Sequence, residues 1–264
     1  MRTRIGMMGA LALCLLASAS WAAGFSVNAT GVAGQTGGGV VEGACGATVL
    51  TQTTSQSIVA LNSVSCNSGG LHADNSYFRA FDMSAYPTGF DVCEVQVGVE
   101  EAVGAGGAQP ITVNVYANSG TGFPAGTLTL LGTASPSVAD QSLAIVTVPL
   151  AASVPAGTTQ MVVEVFTPDG QTAGHSFFIG SNNLGESGPS YLAAAACGIT
   201  VPTPTSAIGF ANMQIVLNVS GDAVGGPPPP NVVEVPTLGG WGLALLGVVL
   251  AGAAFVALRK RAVA

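Results

Sequence analysis

A chain of 264 residues, 48% of them apolar and only 7% charged, has room for one core of ordinary size plus accessory segments, and such charge poverty is unusual in a cytosolic enzyme. Of its six Lys and Arg only Arg79 lies between the two ends, against 13 acidic residues running from Glu42 to Glu234. A body so acidic lacks the basic patch that supplies affinity for phosphate backbones, which excludes DNA and RNA as partners.

Residues 1–22 begin with Arg2 and Arg4, pass through an apolar run from Ile5 to Ala17 and finish in small residues around Ser20-Trp21-Ala22. This order is that of a secretory signal peptide, cleaved after Ala22 or Ala23. Leu13 precedes Cys14 where a lipobox needs a small residue, so lipidation is not expected. Residues 23–44 consist mostly of Gly, Ala, Val and Thr. They hold too few large apolar groups to pack and read as a flexible lead-in.

Residues 45–221 carry the apolar signal of strands. Val95, Val97 and Val99 alternate with other residues, as do Ile111, Val113 and Val115; Leu128 and Leu130; Val146 and Val148, opposite Ile145 and Thr147; and Met213, Ile215, Leu217 and Val219. Period-two alternation marks half-buried strands. Residues 47–52, 57–62, 77–83, 161–167 and 176–180 are further candidates, and residues 191–197 read as a short helical turn. Pro-Ala-Gly at 124–126 and 155–157 and Pro-Asp-Gly at 168–170 supply turns. Nine or ten short strands between turns predict an all-β domain, a β-sandwich of jelly-roll type. Four cysteines of the body, Cys45, Cys66, Cys93 and Cys197, suit two disulfides in an exported chain and lack the close spacing of a zinc site. Three connectivities are open to them; Cys45–Cys66 with Cys93–Cys197 is the expected one.

Residues that could carry chemistry are few. His72 and His175 are the only histidines, and Gly174-His175-Ser176 begins like a nucleophile elbow, yet Phe178 stands where the turn needs glycine. Glu94, Glu100 and Glu101 could pair as acid and base, but neighbours on a strand point to opposite faces unless the strand bulges. No enzyme activity and no cofactor are expected. His72, Asp74, Asp82 and Asp91 form a polar group whose carboxylate oxygens would suit a structural calcium ion. Arg79 is expected to pair with Asp82, Asp74 or a glutamate of a neighbouring strand. Alternation places either Tyr77 with Arg79 or Phe78 with Ala80 on the outer face; in the first case Tyr77 and Arg79 form a candidate ligand surface on which a sugar ring could stack.

Residues 222–234 include Gly225-Gly226 and Pro227 to Pro230, a stiff linker. Residues 238–258 are 21 uncharged residues followed at once by Arg259, Lys260 and Arg261. At about 1.5 Å per residue such a helix just crosses a bilayer core about 30 Å thick, and the basic tail retains the C-terminus on the cytoplasmic side with the body outside. Val235, Pro236, Thr237 and Leu238, then two glycines, then Trp241 and Gly242, followed by the span and the basic tail, resemble the IPTL-CTERM sorting signal. Val235 stands for the isoleucine of that signal, and Gly239-Gly240 for its usual polar pair. The resemblance implies an exosortase-type membrane transpeptidase as partner and a body sorted to the cell surface, where surface polysaccharide or matrix would be its ligand. The body, through residues 75–82, 97–100, 163–165 and 197–200, also resembles a domain of unsettled function in secreted multidomain bacterial proteins, which implies an accessory module.

Overall fold

The alternating apolar positions are paired into sheets in the computed structural model, which describes residues 23–28, 36–38 and 45–226. Eleven strands build two principal antiparallel sheets: β1 (Thr48–Leu50), β2 (Asn75–Asp82), β3 (Phe90–Val103), β4 (Thr112–Ser119), β5 (Thr127–Ala134), β6 (Gln141–Val154), β7 (Gln160–Thr167), β8 (Ser176–Ile179), β9 (Tyr191–Ala194), β10 (Ile199–Pro204) and β11 (Leu217–Ala223). One sheet has the order β5-β4-β7-β2-β9-β10 and the other β6-β3-β11-β1, with β8 also on β3. The remaining short strands form two- and three-stranded ribbons. The expectation of an all-β fold is met.

The inner faces of both sheets supply one core. Tyr77 and Phe81 of β2, Val113 and Val115 of β4, and Met161, Val163 and Val165 of β7 join Val95, Val97 and Val99 of β3 and Leu217 and Val219 of β11. Removing this much aliphatic surface from water is the main favourable contribution to folding, at about 25 cal/mol per Å². β3 accepts β6 along one edge and β8 and β11 end to end along the other. At their junction Gly180 donates to Gly98 O at 2.7 Å and Gly98 donates to Val216 O at 2.9 Å. A Cβ on Gly180 would stand 2.6 Å from the carbonyl carbon of Gly98, so only glycine permits this approach.

Several expectations are corrected by pairing. The disulfides are Cys45–Cys93 and Cys66–Cys197. β1 reaches β3 through β11, bringing Cys45 to Cys93, while Cys66 lies beside the 3-10 turn Ala195–Cys197; nearness along the chain is no guide to either pair. Residues 191–197 are strand first and helical turn only at the end. Leu130, expected to point inward, is 54% exposed. The β4–β5 register shifts between Val115 and Tyr116, so Leu131 packs on the core instead. Two stretches of the expected flexible lead-in are paired strands: Gly24–Val27 with Val64–Ser68, and Thr36–Gly38 with Ser57–Val59. Main-chain pairing needs no large side chains, and Phe25 packs the first against Phe210, ring centroids 5.8 Å apart. The expected signal peptide and the expected span at 238–258 lie outside the described residues; among these no helix is long and apolar enough to cross a membrane.

Candidate functional site

β2 is an interior strand with β7 on one side and β9 on the other, and alternation turns Tyr77 and Arg79 inward. Both are fully buried, so the candidate ligand surface at Tyr77 and Arg79 is corrected: Phe78 and Ala80 take the outer face instead. Arg79 Nη1 stands 2.8 Å from Glu186 Oε2. Its Nη1 also donates to Gly188 O at 2.6 Å, and Nε and Nη2 donate to Ile215 O at 3.0 and 2.6 Å. Ser190 Oγ donates to Glu186 Oε2 and accepts from Ile215 N, each at 2.9 Å. Burial pulls the guanidinium below its ordinary pKa, opposed by the Glu186 charge and hydrogen bond; arginine nonetheless keeps its proton in proteins. The partner is a glutamate, Glu186, but it comes from the loop before β9 and not from a neighbouring strand as expected. Burial likewise raises the Tyr77 phenol, whose hydroxyl donates to Val64 O at 3.2 Å.

The four residues considered for calcium have separate employments. His72 Nδ1 faces His175 O at 3.0 Å and Nε2 faces Pro168 O at 2.9 Å. Asp74 accepts from Asp169 N at 2.6 Å, Asp91 from Ser153 Oγ at 2.7 Å. Asp82 accepts from Ser84 N and Oγ, which hold its carboxyl below the ordinary range. Among the described residues no three or more His, Cys, Asp or Glu are placed to share a metal ion.

The glutamates of β3 are buried and engaged by different partners. Glu100 accepts from Leu61 N at 2.8 Å and Ser63 N at 2.9 Å; burial raises its pKa and these donors oppose the rise. Glu101 accepts from Ser176 Oγ at 3.2 Å, which directs that hydroxyl to a carboxylate rather than to His175. Glu94 accepts from Gln96 Nε2 and Ser220 Oγ.

A more accessible constellation lies on the outer face of the six-stranded sheet. The register aligns Asn114, Glu164, Phe78 and Tyr191 in one row across β4, β7, β2 and β9, with Tyr116, Val162 and Ala80 in the next. Phe123 covers one end of the face, its ring 5.4 Å from Phe78 and 4.8 Å from Tyr191. Beyond this cover Asn114, Tyr116, Glu164 and Phe166 are half-buried. Tyr116 Oη donates to Glu164 Oε2 at 2.7 Å and Asn114 Nδ2 to the same oxygen at 3.1 Å. Burial, then the neighbouring carboxylate, raises the Tyr116 phenol, so it stays a donor. Thr112, Asn114 and Tyr116 are the polar half of the alternation that Ile111, Val113 and Val115 announce, which was the available signal for this face.

Residues 235–260 match the family model described as the IPTL-CTERM motif. The chain thus carries that motif at the place where the resemblance put it, and the motif implies a surface-sorted protein processed by an exosortase-type enzyme. Val235, Pro236, Thr237, Leu238, Trp241, Gly242 and the basic tail Arg259, Lys260 and Arg261 lie outside the described residues. Neither the comparison with curated proteins nor that with solved structures finds a match.

Proposed function

We propose that this chain displays a noncatalytic interaction module, a β-sandwich of jelly-roll type, outside the cell for adhesion or matrix assembly. The observation that carries the reading is the IPTL-CTERM motif at residues 235–260, downstream of an all-β body with two disulfides. Disulfides persist in oxidising surroundings, as an exported body requires. The absence of catalysis is favoured by the employment of the buried glutamates and His72 in holding loops and turns, since general acid–base work needs a group within reach of a substrate. The signal peptide directs export, and the span holds the precursor until the sorting enzyme acts.

C-terminal mass spectrometry of the protein recovered from the surface of a host with the matching enzyme tests the reading. The mature chain is expected to lack Arg259, Lys260 and Arg261; recovery of an intact C-terminus from the surface fraction overturns processing. A second reading, a carbohydrate-binding accessory module, is favoured by the half-buried Tyr116, Phe166 and Glu164 on one outer face.

A further inference from the structure

Three features of the outer face around Glu164 converge on one ligand chemistry. The first is a half-buried aromatic side chain, Phe166, outside both apolar clusters of the described residues. Phe78, Val162, Phe123 and Tyr191 form a buried cluster on this face and Tyr116 packs at its margin, but Phe166 joins neither that cluster nor the main core. Phe166 and Glu164 stand two positions apart on β7, hence on one face and about 7 Å apart along the strand.

The second is an oriented carboxylate with spare capacity. Both protein donors, Tyr116 Oη and Asn114 Nδ2, fall on Glu164 Oε2, and Oε1 receives no hydrogen bond from the described residues. The third is charge. Arg79, the one Lys or Arg of residues 23–226, is fully buried, whereas Asp74, Asp82, Asp91, Asp140, Asp169 and Asp222 are exposed. A surface of one sign attracts the opposite charge and repels its own, which disfavours uronic or sulfated polymers.

From these we propose that Glu164, Tyr116, Asn114 and Phe166 bind an amine-bearing polysaccharide. The inference rests on the interaction-module reading and names its ligand class. A protonated sugar amine would donate to Glu164 Oε1 in a charge-assisted hydrogen bond, within reach of the aromatic rings that attract cations. The apolar face of the ring would lie on Phe166 or Tyr116. A lysine-rich peptide shares the charge but is less well served, because β4 and β7 are both paired on each side and offer no free main chain to a peptide.

The test is retention of the full chain, in mild detergent, on immobilised chitosan, its fully N-acetylated counterpart, alginate and polylysine. Chitosan is expected to bind at low salt and to release at high salt, with much weaker retention on the other three. Glu164→Gln should weaken chitosan binding about tenfold, the loss of one charge-assisted hydrogen bond, and Phe166→Ala several-fold, with melting temperatures showing that both variants fold. Asp169→Asn, an exposed acid elsewhere, should leave binding unchanged. Polylysine binding as tightly as chitosan, chitosan binding indifferent to Glu164→Gln, or no chitosan binding each overturns the site. Retention of the acetylated polymer that Glu164→Gln does not weaken overturns the amine site while leaving the interaction-module reading standing.

Discussion

The Arg79 guanidinium lies 2.8 Å from the Glu186 carboxylate, with the arginine side chain 0% and the glutamate 21% exposed. The pair ties an interior strand to the loop before β9, and Ser190 and the carbonyls of Gly188 and Ile215 complete the knot. A cation withdrawn this far from water costs more than the ion pair alone returns, so its hydrogen bonds to carbonyl groups are needed for the arrangement to persist.

Arg79→Ala should therefore destabilise strongly, by about 3–5 kcal/mol, because it leaves Glu186 without its cation and the carbonyls of Gly188 and Ile215 without their charged donor. Glu186→Gln, at a partly exposed position, should cost about 1–2 kcal/mol. Chemical denaturation of the two variants checks the ranking, and a loss below about 1 kcal/mol for Arg79→Ala would contradict the role given to this knot.

The disulfides make a prediction of unequal sizes. Loop-closure entropy assigns about 5 kcal/mol to Cys66–Cys197, separated by 131 residues, and about 4 kcal/mol to Cys45–Cys93, separated by 48. Paired serine substitutions should lower the melting temperature in that order. A non-reducing peptide map should recover Cys45 linked to Cys93; a peptide linking Cys45 to Cys66 would refute the pairing.

Acid should weaken the fold through His72. Burial is the largest influence on its imidazole and lowers the folded pKa below the ordinary value near 6.5 despite the carbonyls of Pro168 and His175 and the charge of Asp169, with His175 adding to the depression. The unfolded chain then takes up the proton first, so stability is full above about pH 6.5 and falls as pH drops toward the folded value. Glu100 acts in the opposite sense: its raised folded pKa favours folding at acid pH and loses that benefit as pH rises through the folded value. The comparison of wild type with His72→Gln, by denaturation between pH 5 and 7, isolates the histidine. Stability should fall more steeply with acid in the wild type, and parallel curves would remove His72 from the account.

Calcium should do nothing to the melting temperature. His72, Asp74, Asp82 and Asp91 bond to separate backbone and side-chain partners, so an ion would find no site shared by these four residues to stabilise by mass action. A calorimetric scan with calcium and with chelator checks this, and a rise of several degrees with calcium would point to a site elsewhere in the chain.

The resemblance to IPTL-CTERM was legible because a motif, an uncharged run and a basic tail are properties of consecutive residues, and the family match falls on the same stretch. The all-β fold was legible for a related reason: a strand with one covered face writes a period of two into the chain, and Val95, Val97 and Val99 show it. That period says two faces exist without saying which is covered. Tyr77 with Arg79 and Phe78 with Ala80 were equivalent until β7 and β9 flanked β2 and Glu186, Gly188 and Ile215 enclosed the arginine. Likewise the bulge that turned Leu130 outward depends on the partner strand. The local sequence alone thus determined the sorting motif, strands, turns and the number of cysteines, whereas cysteine pairing, the burial of the sole central cation and the half-buried place of Glu164 on the outer face were decided by which strands meet. Those are contacts between residues far apart in the chain, and no local pattern encodes them.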